Sequence, residues 1–261
     1  MDKVITEIDN LGVARVTLSN PEKHNTFDDQ IITQLTEAFS AVASNADVRV
    51  MVLGSEGKSF SAGADLDWMK RMANYSYDEN LQDAQALALM LKTLNELPQP
   101  SIARVQGAAF GGAVGLVSCC DMAVAATAAT FSLSEVKIGL VPATIGPYVI
   151  AAIGERAARR YFTTAERFNA QTAKHIGLLS EVIDAEHLDD QVNLLVNALL
   201  ANGPEAILAA KQLVSDISGQ TIDQNLIDHT CEVIAGIRVS EQGQEGLNAF
   251  LEKRKPHWLK D

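Results

Sequence analysis

Between Arg104 and Asp121 the chain reads RVQGAAFGGAVGLVSCCD, with four glycines in nine residues: Gly107, Gly111, Gly112 and Gly115. A backbone so bare either lets two chain segments touch or lets a ligand reach the main chain. The spacing, G-x3-G-G-x2-G, is not the GxGxxG of a dinucleotide fold, and no Lys-Ser/Thr follows to make a P-loop. If Gly111 and Gly112 open a helix running through Val117, their amides point outward at the positive end of the helix dipole. A second small-residue turn lies upstream in SFSAGADLDWM, where Ala62-Gly63-Ala64 leads into Asp65 and a helix. Two amide sources converging on one carbonyl oxygen would form an oxyanion hole for an enolate. The residues alone leave tight packing and anion binding both open.

The flanking pattern sets the fold class. Val4–Ile8 and Val13–Leu18, with Asn10 and Gly12 between them, predict a hairpin. Ile31, Leu35, Phe39 and Val42 fall at helical spacing, with Thr26 and Asp29 as the expected capping pair. VRVMVLGS (48–55) and SIARV (101–105) predict buried strands, and Leu87, Met90, Leu91 and Leu94 mark a helix ended by Pro98 and Pro100. This alternation predicts an α/β fold with parallel pairing. After about Leu188 the pattern is helical only.

Composition narrows the function. With 47% hydrophobic residues among 261, the chain has the material for a large core without metal or disulfides. Lys plus Arg is 21 against 33 for Asp plus Glu, a net charge of −12. Such a chain is a poor nucleic-acid partner. The start, MDKVITEIDNLG, is neither a signal peptide nor a transit peptide, and no uncharged apolar stretch of about 18 residues occurs. A cytoplasmic protein with no membrane partner is expected. Cys119, Cys120 and Cys231 have no zinc or disulfide spacing and are expected as buried thiols. The five histidines form no ligand spacing, so no metal is expected.

SFSAGADL, IARVQGAAFGGAVGLVSCCDM and FSLSEVKIGLVP together resemble the enoyl-CoA hydratase/isomerase family, the crotonase superfamily, and SNPEKHNTF and GLNAFLEKRKP extend the resemblance across nearly the whole chain. It implies a spiral of ββα units forming two roughly perpendicular sheets, with residues 1–195 as the core carrying the active site and 196–261 as a helical part that packs across a homotrimer or homohexamer. It implies an acyl-CoA substrate, with coenzyme A arriving as part of that substrate and no separate cofactor. By motif position it makes Ala62 and Gly112 the thioester-oxygen donors. Ala62, Ala64 and Leu66 fall where the family's backbone meets the nucleotide and pantetheine. Lys23 falls where a basic residue approaches the CoA, and Phe250 and Lys253 where the C-terminus reaches a neighbour's CoA. Trp68 and Met69, just beyond the turn, are expected to wall the acyl pocket, with Met72 beside them.

One position departs from the pattern. Hydratases of the family typically use two glutamates. The second is matched by Glu135, in SLSEVKIGL, but the first falls on Gly115. Glu135 is therefore the expected sole acid-base group, and the glycine is expected to leave room in the substrate pocket. The combination with VPATIGPYV is similar to the bacterial methylglutaconyl-CoA and isohexenylglutaconyl-CoA hydratases, which implies a branched, carboxylated enoyl-CoA and addition of water across its 2,3 double bond. Double-bond isomerisation with Glu135 as single base is the alternative. Among Arg156, Arg159 and Arg160, one is a candidate reader of the substrate carboxylate.

Overall fold

The computed structural model describes residues 2–259. Its strands in chain order are β1 (Val4–Ile8), β2 (Val13–Leu18), β3 (Val50–Ser55), β4 (Ser101–Val105), β5 (Ala109–Phe110), β6 (Met122–Ala126), β7 (Thr130–Ser132), β8 (Phe168–Asn169) and β9 (Glu181–Ile183). The helices are α1 (Asp29–Ser44), α2 (Leu66–Met72), α3 (Tyr77–Asn95), α4 (Gly112–Cys119), α5 (Gly146–Thr164), α6 (Ala170–His175), α7 (Leu188–Leu200), α8 (Pro204–Ile217), α9 (Gln224–Val239) and α10 (Glu241–Leu251).

The strands fall into two sheets, ordered β1-β2-β3-β4-β6-β9 and β5-β7-β8. Only β1 in the larger sheet is antiparallel to its neighbour, with Val4 opposite Leu18 as the hairpin reading requires. The others are parallel, and each new strand adds on the same side. From β4 onward the chain alternates: β4 lies in the large sheet, β5 in the small one, β6 in the large, β7 and β8 in the small, and β9 in the large. This alternation matches the mixed α/β, two-sheet architecture expected from the sequence.

The period-2 pattern of β3 shows where the core sits. Met51 and Leu53 face one apolar cluster with Leu35, Phe39, Leu91 and Leu94 of α1 and α3. Val50 and Val52 face a second cluster against Leu188, Val192 and Val196 of α7. A strand covered on both faces reads as an unbroken apolar run, and VMVLGS does. Residue 195, the expected division, lies within α7, which is packed on the sheet. The helices after it are tied back through Lys211, which reaches Asp121 at 2.7 Å and the Gln99 carbonyl at 3.0 Å.

Two local expectations are corrected. The cap of α1 is Asp28, whose carboxylate accepts from the Ile31 amide at 2.8 Å, so Thr26 and Asp29 do not cap it. Of the thiols, Cys119 is buried and Cys120 partly so, but Cys231 is exposed on α9, whose other side alone packs on the protein. Among the described residues no single helix is long and apolar enough to cross a membrane.

Candidate active site

The glycine stretch becomes the seam between the sheets. β5 ends at Phe110, and α4 begins at Gly112. Between them Gly111 adopts φ 55°, ψ −120°, a conformation closed to L side chains. Its amide donates to the Ser132 carbonyl of β7 at 2.9 Å. Gly107 serves close approach instead: a β-carbon there would lie 1.9 Å from the Lys58 carbonyl oxygen. The close-packing reading thus holds at Gly107, while Gly111 is required by its backbone conformation.

The upstream turn is shaped by a segment far back in the chain. The Phe27 amide donates to the Gly63 carbonyl and the Asp65 amide to the Phe27 carbonyl, both at 2.7 Å, clamping the backbone on either side of Ala64. Asp65 then caps α2, accepting from the amides of Asp67 and Trp68, and takes the Lys23 ammonium at 3.0 Å. Lys23 holds the Asp65 carboxyl below its usual range, and Asp65 in turn raises Lys23. Trp68 is fixed by its indole N–H, which donates to Asp83 of α3 at 3.0 Å.

Here the expected pair of donors changes. The Ala62 amide is spent on the His24 carbonyl at 3.0 Å, and the Gly63 amide on Ser61 Oγ at 3.3 Å. The next amide, that of Ala64, meets no acceptor among the described residues, nor does that of Gly112. Ala64 and Gly112 both line one cleft, with Phe27, Trp68, Met72, Leu87, Glu135, Val141, Pro142, Ala143, Thr144 and Ile145. The amide left free beside that of Gly112 is therefore Ala64's and not the expected Ala62's, because hydrogen bonding to residue 24 uses the earlier amide.

Glu135 follows β7 and opens a short 3-10 turn, Glu135–Ile138, that Gly139 closes in the left-handed region. Its Oε2 is buried without a hydrogen-bond partner. Loss of hydration pushes its carboxyl above the ordinary range. A β-carbon built on Gly111 would lie 3.3 Å from Glu135 Oε1, so the carboxylate stands beside the turn that opens α4. It is the one titratable side chain lining the cleft. A carboxylate with one unpartnered oxygen and two unengaged amides in an apolar cleft can move a proton next to an oxygen that gains charge.

Several expected site residues lie elsewhere. Met69 follows Trp68 by one position on α2, about 100° round the helix, and does not line the cleft. Gly115 does not line it either, because Ile145 covers it; the expected room is filled. Leu66 is 72% exposed at the start of α2. Phe250, 81% exposed, and Lys253 project from the end of α10 and its following turn, outside this chain's cleft. Arg159 pairs with Glu155 and Arg160 with Glu166 on the exposed side of α5, while Arg156 is exposed there too; none lines the cleft. Sequence reasoning missed Phe27, Leu87, Thr144 and Ile145 as lining residues. Phe27 and Ile145 stood in quoted motifs, but nothing in the sequence shows which side chains face the cleft.

Comparison with known proteins agrees with this architecture. The profile of the enoyl-CoA hydratase/isomerase family matches residues 9–261. A crystal structure of an enoyl-CoA hydratase from Shewanella pealeana superposes with a TM-score of 0.95 at 46% identity, covering 98% of this chain and 96% of that one. An enoyl-CoA hydratase from Mycobacterium smegmatis gives 0.93 at 31%, covering 99% of each. The mitochondrial enoyl-CoA hydratase domain-containing protein 3 of Danio rerio is 30% identical over 95% of this chain and 84% of its own length. With the cleft at the sheet seam and the match running through almost the whole sequence, the chain belongs to the enoyl-CoA hydratase/isomerase family.

Proposed function

We propose that the protein is an enoyl-CoA hydratase in which Glu135 alone serves as base and then acid. The observation that carries this is Glu135 Oε2, buried and without a hydrogen-bond partner, in the cleft that Ala64 and Gly112 also line. The thioester oxygen accepts from those two amides. Water gives a proton to Glu135 while its oxygen bonds to C3, and the C2–C3 π pair moves toward the thioester oxygen as an enolate. Glu135 then returns the proton to C2. Each donor to the enolate oxygen is worth about 3 kcal/mol in the transition state. Coenzyme A enters as part of the substrate, and the chemistry calls for no separate cofactor.

The finer substrate reading, a branched enoyl-CoA with a distal carboxylate of the methylglutaconyl type, rests on the motif around Gly115 and Ile145. No Lys, Arg or His lines the cleft, so that carboxylate has to be met beyond the lining residues. Exposed Val239, Leu247, Phe250 and Leu251 on the C-terminal helices support a homotrimer or homohexamer, with the tail of one copy near the cleft of another.

Isomerisation is the second reading. It is favoured by one observation: among the described residues lining the cleft, the other polar side-chain groups are the Thr144 hydroxyl and the Trp68 indole N–H, which is taken by Asp83, so a single base stands in largely apolar surroundings. Glu135 would then carry a proton from C2 to C4 of a 3-enoyl-CoA. The test is mass spectrometry after incubation in ¹⁸O-water with 3-methylglutaconyl-CoA, crotonyl-CoA and a 3-enoyl-CoA. Labelled 3-hydroxyacyl-CoA, lost in Glu135→Gln, is the expected result. Unlabelled 2-enoyl product alone assigns the protein to isomerisation.

A further inference from the structure

Gly115 lies one turn beyond Gly112 on α4 and is buried. A β-carbon there would stand 2.4 Å from Ile145 Cγ2 and 2.9 Å from Ile145 Cβ, with Leu91 Cδ2 at 3.3 Å. Leu91 offers a methyl at the end of a rotatable chain and can yield. Ile145 cannot, since its own Cβ is fixed by the backbone. That backbone is anchored: the Ile145 carbonyl accepts from the Val149 amide at 3.0 Å in the first turn of α5, and the Gly146 amide donates to Ala143 at 3.1 Å. Ile145 is 2% exposed, yet it also lines the cleft. Positions 115 and 145 therefore form an exclusive pair, in which the isoleucine takes the volume that any side chain at 115 needs.

We propose that Ile145 is a specificity-determining residue that sets the balance between water addition and proton relocation. This rests on the assignment of Glu135 as the acid-base group. In hydration the attacking water gives one proton to Glu135, and a second polar group on the facing side would hold its other hydrogen and orient it toward C3. Ile145, which lines the same cleft as Glu135, offers only hydrocarbon there. Transfer of a proton from C2 to C4 needs one carboxylate and no water, so the isoleucine wall leaves it unhindered. Exchanging the pair, glutamate at 115 and glycine at 145, opens the space and places a second carboxylate there.

The experiment compares the wild type with Gly115→Glu, Ile145→Gly and the double variant. It reads thermal midpoints, crotonyl-CoA hydration and 3-hexenoyl-CoA isomerisation. Gly115→Glu alone is expected to melt lower and lose at least about tenfold in hydration, while the double variant regains most of the midpoint. Its ratio of hydration to isomerisation should exceed the wild-type ratio by about tenfold, the low end of what one positioned acid-base group supplies. Strictly additive midpoints overturn the pairing, and an unchanged ratio overturns the specificity role. If Gly115→Glu does not fold, Gly115→Ala with and without Ile145→Gly gives the midpoint coupling, and Ile145→Ser gives the ratio: a polar group facing Glu135 should raise it. Wild-type activities that survive Glu135→Gln would sink the Glu135 assignment instead, a result separable from the midpoints.

Discussion

Two carboxylates close to α4 are treated in opposite ways. Asp121, just past its end, accepts from the Ser101 amide at 2.7 Å, the Ser101 hydroxyl at 2.9 Å and the Lys211 ammonium at 2.7 Å. Glu135, beside its start, has a buried oxygen with no partner. The first knots the start of β4 to the residue before β6 and to α8. The second keeps Oε2 without a partner in a cleft where burial raises its pKa. Saturation marks a carboxylate that holds structure, and its absence in a cleft marks one kept available for chemistry.

Removing the available group should have the largest effect. Glu135→Gln is expected to lower turnover about 10²- to 10⁴-fold in a steady-state assay, with the fold intact by circular dichroism. Breaking the engaged group should do the reverse: Asp121→Ala removes the acceptor shared by Ser101 and Lys211, leaving Lys211 only the Gln99 carbonyl, and is expected to cost about 1–2 kcal/mol in urea unfolding, with the activity of the folded fraction kept. Gly111→Ala tests the backbone between the two regions. It forces an L residue into φ 55°, and a loss of about 1–3 kcal/mol is expected, together with reduced turnover because the new methyl approaches Glu135.

The pH dependence sharpens the contrast further. Burial raises the Glu135 pKa in the folded state above its unfolded value near 4.3. The folded chain then binds more protons than the unfolded one in that window, so this group's contribution to stability is full below the unfolded pKa and declines as pH rises through the folded one. Glu135→Gln should therefore melt higher than the wild type at pH 8 and converge with it at pH 4. The smallest effect belongs to an exposed pair: Lys23→Ala removes the partner of Asp65 and should leave the thermal midpoint nearly unchanged. A much larger loss in apparent affinity for CoA thioesters would show that Lys23 meets the ligand.

Much of this was legible in the sequence, for identifiable reasons. The hairpin, β3, β4, α1 and α3 carry their period in the chain, and the two glycine turns are local signals. The identity of the second free amide was not local. Ala62 and Ala64 are equivalent by composition, and only the His24 carbonyl, 38 positions upstream, takes one of them out of use. Gly115 showed a missing side chain, but its cover, thirty residues on, is a matter of packing in three dimensions. Likewise Thr26, Asp28 and Asp29 are all competent caps, and the entry angle of the chain selects among them.

Gly111 carries a consequence of handedness. Reflecting φ 55°, ψ −120° gives −55°, +120°, an ordinary conformation for an L residue. The backbone at this point is thus written in the mirror image of an ordinary L conformation, and glycine is the only genetically encoded residue that reads both ways. A D-alanine placed there by chemical ligation would fit the same dihedrals without strain and send its methyl away from the direction in which an L residue meets Glu135. The entrance to α4 is in that sense spelled with a left-handed letter in a right-handed chain.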